Sequence, residues 1–177
     1  MINTFSLTNK IEVNGNNYIH ASLVNSNLEL DKDINLDNDE DSYKKLEILS
    51  SSIKNSKTIK GSKKGQLAIA QENTDDKPAS KIQLLNNNKI ELTGEESLGI
   101  YGKRAEIENK GSISVGEKSA AIYLIEDNEG KLLAGSVKNN GLITLGEFSS
   151  GIVYKAETTG RYPTLDGGIS NFGEIKS

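Results

Sequence analysis

The sequence predicts an all-β solenoid, a stack of short strands in which each repeat forms one coil. Three observations lead there: a phrase recurs along the chain, its apolar residues alternate at a period of two, and each copy has a constant half and a variable half. The phrase is clearest in "NKGSISVGEKSAAIY" from Asn109 and "NNGLITLGEFSSGIVY" from Asn139. The opening Asn and the closing Ile are 13 positions apart in both, Asn109 to Ile122 and Asn139 to Ile152. Looser copies run from Asn55 to Ile69 and from Asn86 to Ile100, 14 positions each, and another begins at Asn171. "KIELTG", "GSISVG" and "GLITLG" alternate apolar with polar residues and are bounded by glycine, the mark of half-buried strands. No segment carries an amphipathic helical stripe, which removes the helical repeat classes. A β-sandwich of similar hairpins would have no reason to keep the constant half in register over these copies.

A repeat this short cannot bury its own apolar face and must stack on its neighbours. Equivalent residues then lie about 4.8 Å apart. Ile113, Ile143 and Ile175 are expected to form one inward ladder, and Ile100, Ile122 and Ile152 another. Asn109, Asn139 and Asn171 are expected to stack their amides and satisfy one another along the row. Gly94, Gly116 and Gly146 are expected at a turn of positive φ.

Along the chain, residues 1–54 match the phrase poorly. Their strand-sized runs "IEV", "YIHASLV", "LEL", "INL" and "LEIL" read as atypical N-terminal coils or a cap. The acidic run "DKDINLDNDEDSYKK" reads as an exposed loop. Residues 55–177 carry the repeat. "AEIEN" before Asn109 reads as a further strand of the coil. The variable half holds the insertions "QENTDDKPAS" (71–80), "EDNEGK" (126–131) and "AETTGRYPTLDGG" (156–168), each following the same strand of the repeat. The last copy breaks off at Ser177, so an excised piece of a longer protein is expected, with Met1 supplied for expression.

Composition narrows the function classes. The hydrophobic share of 34% is low for a packed core, yet Ile, Leu and Val gather in strand-sized clusters, so general disorder is not the reading. There is no cysteine, which excludes a disulfide scaffold and a thiolate metal site. Net charge is −4 with lysines scattered among acids, which argues against a nucleic-acid binder. No apolar run is long enough to span a bilayer as a helix, and the N-terminus lacks the pattern of a signal peptide.

Candidate chemistry is sparse. Asp37, Asp39 and Asp41 have the spacing that opens a calcium loop, but Ser42 stands where glycine is needed and Ile48 where the bidentate acid is needed. The frame from Asp31 puts Leu36 at the glycine position. A solvated acidic loop is the better reading, with no metal and no other cofactor. Ser97, Ser119 and Ser149 recur once per repeat, as turn or ladder residues do and as a single catalytic serine would not. His20 is the only histidine and sits in an ordinary strand run. A carbohydrate-cleaving solenoid would need carboxylates on neighbouring strands, yet Glu91 is followed by Ser114 and Thr144 in later copies. The expectation is therefore a non-enzyme.

Insertions on one side of a repeat array often mark its binding surface. The candidate binding residues are Asp75, Asp76, Glu126, Asp127, Glu129, Arg161 and Tyr162. Arg161 and Tyr162 stand out because arginine and tyrosine are favoured interface anchors. The plainer reading is that these loops are tolerated length.

The phrases "NKGSISVGEKSAAIY", "NNGLITLGEFSSGIVY" and "ELTGEESLGIYGKRAEIENKG" resemble the passenger-domain repeats of large type V autotransporter adhesins, in particular the fusobacterial outer-membrane kind. The match covers 86–177 well, 55–69 loosely and the first fifty residues hardly at all. The resemblance implies a right-handed parallel β-helix, exported to the cell surface and anchored there by a C-terminal outer-membrane β-barrel outside this sequence. It implies attachment to a host-cell or bacterial surface receptor, protein or glycan, and brings no catalytic motif. A carbohydrate-cleaving β-helix and a purely structural spacer are the alternatives.

Overall fold

The computed structural model describes residues 3–7, 19–22, 26–30, 33–37, 45–49, 52–72, 82–127, 135–157 and 168–177. These hold nineteen strands and no helix. In chain order they begin β1 (Asn3–Leu7), β2 (Ile19–Ser22), β3 (Ser26–Leu30), β4 (Ile34–Asn35), β5 (Lys45–Leu49), β6 (Ser52–Asn55), β7 (Ile59–Gly61) and β8 (Leu67–Glu72). There follow β9 (Ile82–Asn86), β10 (Lys89–Leu92), β11 (Leu98–Lys103), β12 (Ala105–Asn109), β13 (Ser112–Val115) and β14 (Ala120–Asp127). The last are β15 (Ser136–Asn139), β16 (Leu142–Leu145), β17 (Ser150–Glu157), β18 (Ile169–Asn171) and β19 (Glu174–Lys176).

Every pairing is parallel, and the strands fall into three sheets. The first sheet runs β1-β3-β6-β9-β12-β15-β18, the second β4-β7-β10-β13-β16-β19, and the third β2-β5-β8-β11-β14-β17. From β3 onward the chain visits first, second and third sheet in turn, so one circuit lays one rung on the previous one. Parallel strands need crossovers; here the crossover of each sheet is the rest of the circuit.

The core is a set of ladders. In the second sheet Ile34, Ile59, Ile90, Ile113, Ile143 and Ile175 stack in register, and the middle four are fully buried. In the third, Ile69, Ile100, Ile122 and Ile152 stack. In the first, Leu28, Ile53, Leu84, Ile107 and Val137 do so, all buried. Both ladders expected from the phrase are present, and "AEIEN" is β12.

The amide row is also present. Asn55 Nδ2 donates to Asn86 Oδ1, Asn86 to Asn109, Asn109 to Asn139 and Asn139 to Asn171, each at 2.8 Å. The first four are completely buried, and the bonds along the row spare each amide much of the cost of an unpaired buried polar group. In β3 the row position is Leu30, which ends it.

Two expectations need correction. Gly94, Gly116 and Gly146 do not hold the positive φ. That conformation belongs to Glu96 (54°), Lys118 (54°) and Phe148 (56°), with Gly65 (72°) at the equivalent place one rung earlier. The glycines are required for a different reason. A Cβ on each would come within the 3.0 Å that real Cβ atoms keep, against backbone of the rung below: Lys63, Gly94 and Gly116 respectively. Close stacking, not torsion, selects glycine there.

The acidic run is likewise more than a loop. β4, part of the strand-sized run "INL", passes through it, Leu36 within it is buried, and Lys45 opens β5. β4 stays in register because Ile34 lies opposite Ile59 in the core ladder.

Candidate functional site

From β6 onward, two corners of each rung keep nearly constant length and one does not. The corner between the first and second sheets is set by the Asn row and by Gly111, Gly141 and Gly173, whose Cβ positions would collide with backbone of the rung below. The corner between the second and third sheets carries the left-handed residue and then Ser97, Ser119 or Ser149. The Ser97 N–H donates to Ser119 Oγ and the Ser119 N–H to Ser149 Oγ, both at 2.9 Å. These serines are a hydrogen-bonded ladder, as their recurrence predicts.

From β6 onward the added length falls at the corner from the third sheet back to the first, whereas the earlier rung carries residues 36–44 between β4 and β5, at the corner from the second sheet to the third. Residues 73–81 separate β8 from β9, 128–134 precede Gly135 and β15, and 158–167 separate β17 from Gly168 and β18. Between β11 and β12 the same corner is a single residue, Arg104, with φ of 53° and only 8% exposed. The strands also run further than the sequence suggests. Gln71 and Glu72 belong to β8, Glu126 and Asp127 to β14, and Ala156 and Glu157 to β17.

Glu126 therefore sits at the end of a strand and is 1% exposed. Its Oε1 accepts the N–H of Gly135, tying together the two ends of the segment between them. A Cβ at 135 would strike that same carboxylate oxygen and the backbone of Ala105, so Gly135 is the residue that fits. Beside it, Tyr154 follows Leu124, Gly102 and Gln71 in one register column of the third sheet. Burial pushes the Tyr154 phenol above its ordinary range, and the negative charge of Glu126 adds to the rise. Among the described residues, the Tyr154 hydroxyl and both polar atoms of the buried Gln71 amide have no hydrogen-bond partner.

The outer faces of the sheets differ. On the first, Glu29 pairs with Lys54 at 2.9 Å, and Glu108 lies 3.6 Å from Lys138. On the second, Lys60, Glu91, Ser114, Thr144 and Lys176 follow one another in register. On the third, the corresponding row is Ala70, Tyr101, Tyr123 and Val153. The two tyrosine rings stack with centroids 6.3 Å apart and planes 26° apart. This apolar face ends at the corner that bears the insertions.

Of the candidate binding residues, Glu126 is buried in β14 and turned to holding the chain, so it offers no surface to a partner. Asp127 ends the same strand, opposite Glu157. Asp75, Asp76, Glu129, Arg161 and Tyr162 lie outside the described residues. So do Asp31, Asp39 and Asp41. Asp37 accepts from the Ser62 N–H (2.9 Å), the Ser62 hydroxyl (2.8 Å) and Gln66 Nε2 (2.8 Å) of the next rung. Burial works to raise its carboxyl, but these hydrogen bonds outweigh it and hold it below its ordinary range. Among the described residues no three His, Asp or Glu side chains gather closely enough to hold a metal ion. His20 lies in β2 opposite Glu47.

Sequence reasoning missed the buried set of Gln71, Glu126 and Tyr154, because charged and amide residues beside an insertion read as loop. It also missed the tyrosine pair, although each tyrosine directly follows a closing Ile, at Ile100 and Ile122. No family model, curated protein or solved structure matches the chain.

Proposed function

We propose that the chain is a right-handed parallel β-helix, one coil per circuit, and a stiff stalk of a bacterial cell-surface adhesin. In this reading it displays residues 73–81, 128–134 and 158–167 for attachment to other bacteria or host cells. The observation that carries it is that, from β6 onward, length variation gathers at a single corner while the Ile ladders of the second and third sheets continue in register. Corners at the same point of successive rungs come out on one side of a stack, where added residues meet a partner without disturbing the core. The repeated phrase, with its resemblance to autotransporter passengers, supports the same reading. Arg161 and Tyr162 are the proposed contacts with a surface receptor, protein or glycan, and buried Glu126 holds the base of one inserted segment.

The test is binding of the chain to a glycan array and to intact bacterial and host cells, beside the double variant Arg161→Ala, Tyr162→Ala. Truncated anchors of these types commonly cost about ten-fold or more in affinity, so a loss of that size is expected. Undiminished binding by the variant would move the adhesive surface elsewhere. No binding by either protein would leave a spacer.

A further inference from the structure

The outer face of the third sheet carries a small aromatic platform in the middle of the stack. Successive rungs bring Ala70, Tyr101, Tyr123 and Val153 into one register column. Side chains two apart on a strand share a face, so Lys103, Ile125 and Lys155 form the next column of that face. Tyr101, Tyr123, Lys103 and Ile125 are half-buried and Lys155 is exposed. The tyrosine rings are close to parallel, at 26°, and their centroids are 6.3 Å apart, wider than the rung spacing of about 4.8 Å. A pair at that distance is offset. Each ring therefore leaves part of its face uncovered by the other.

Three features decide what such a face takes up. The first is pairing. β11 and β14 each have a neighbouring strand on both sides, so a peptide cannot join them as an added strand. The second is area. Four rungs by two outward residues make a platform about 15 Å by about 7 Å. That is on the order of 100 Å2, far below the roughly 800 Å2 that each partner buries in a stable protein interface. The third is charge. The strands β8, β11, β14 and β17 hold Lys103 and Lys155, but also Glu72, Asp127 and Glu157 besides buried Glu126. Lysines that share their strands with more carboxylates do not select an anion such as a nucleic acid.

A small neutral molecule with an apolar face and a polar rim satisfies all three. A pyranose ring is of this kind, with C–H bonds on its faces and hydroxyls around its edge. The negative face of a tyrosine ring attracts those C–H groups, and a lysine ammonium donates to the hydroxyls. We propose that the Tyr101–Tyr123 face binds a neutral oligosaccharide, one sugar ring on the tyrosines and its hydroxyls toward Lys103 and Lys155. This goes beyond the attachment reading, because it concerns a sheet face and not the inserted segments and depends on different residues.

The test uses the 177-residue chain and saturation-transfer difference NMR with cellotriose, maltotriose and chitotriose, beside trigalacturonate as the anionic comparison. At least one neutral trisaccharide is expected to bind at millimolar concentration or below, with its strongest signals on ring C–H protons. Tyr123→Ala is expected to weaken that binding about ten-fold or more, the usual scale for a truncated aromatic anchor. Tyr101→Ala, on the neighbouring rung, is expected to do the same and serves where the first variant fails to fold. Tyr123→Phe, which keeps the ring, and the double variant Arg161→Ala, Tyr162→Ala are expected to bind as the parent does. Circular dichroism checks the fold of each. Binding of none of the three sugars, undiminished binding by the folded alanine variants, tighter binding of trigalacturonate than of any neutral sugar, or loss of binding in the Arg161, Tyr162 variant would each overturn the proposal. Sugar binding that persists while cell attachment fails would uphold this site and break the attachment reading alone.

Discussion

The corner that carries the Asn row and the corner that carries the insertions belong to the same rungs, yet they follow opposite rules. At the first, side chains and backbone of successive rungs touch. Asn109 is completely buried and bonded both to Asn86 and to Asn139, and Gly111 has no room for a Cβ. Any added residue there would break both registers. At the second, one rung closes through Arg104 alone while its neighbours add whole segments. The ladders continue because β12 and β15 remain paired whatever joins them to the third sheet. Contact between rungs fixes length and identity; where contact is made by the flanking strands, the connection is free to vary.

That contrast can be broken at several points. The largest effect is expected in the core ladder that both corners serve. Ile113→Ala opens a fully buried site between Ile90 and Ile143 and should cost about 2–5 kcal/mol, read from urea denaturation. A cost below about 1 kcal/mol would mean that the rungs relax independently.

Next comes the amide row. Asn109→Ala removes the acceptor to which Asn86 Nδ2 donates and the donor from which Asn139 Oδ1 accepts, at about 1–3 kcal/mol for each buried group that loses its row partner. Asn171→Ala, at an exposed position, should cost much less in the same assay. Similar values for the two would show that burial does not govern the row.

Smaller changes separate the two kinds of turn position. Gly116→Ala should destabilise by about 1–3 kcal/mol, because its Cβ meets the backbone of Gly94 and Thr93. Two residues on, Lys118→Gly should stabilise by roughly 0.5–1 kcal/mol by relieving a left-handed conformation. A reversal of sign in thermal melts would restore the torsional role to the glycine.

The smallest effect belongs to the free corner. Halving the segment 158–167 should change stability by about 0.6 kcal/mol or less, since closure entropy varies only slowly with loop length. A larger loss would show that the segment packs on the stack.

Much of this was legible before any coordinates. The period of two and the recurring Asn and Ile are direct imprints of rung-to-rung contact, so the parallel ladders could be read from spacing. The strand ends at Glu126 and Asp127 could not, since two acids before "NEGK" carry the composition of a loop, and only burial against Gly135 makes Glu126 part of the wall. β4, by contrast, was legible as the strand-sized run "INL" although it lies inside an acidic run. The left-handed position was misplaced because propensity points to glycine, whereas three rungs use Glu96, Lys118 and Phe148 there, the last 82% exposed. Of the candidate site, the choice of corner was legible from where the insertions fall; the tyrosine face needed the strand register.

The amide row has one more consequence. Its four side-chain hydrogen bonds all point the same way, from Asn55 toward Asn171. Aligned amide dipoles add, as they do along a helix. A strand stack is usually close to electrically neutral along its length, but this one has a head and a tail. The partial positive end lies at Asn171 and the partial negative end at Asn55, whose Oδ1 is met by the Lys57 N–H at 3.3 Å. The molecule thus carries a direction in its electrostatics as well as in its sequence.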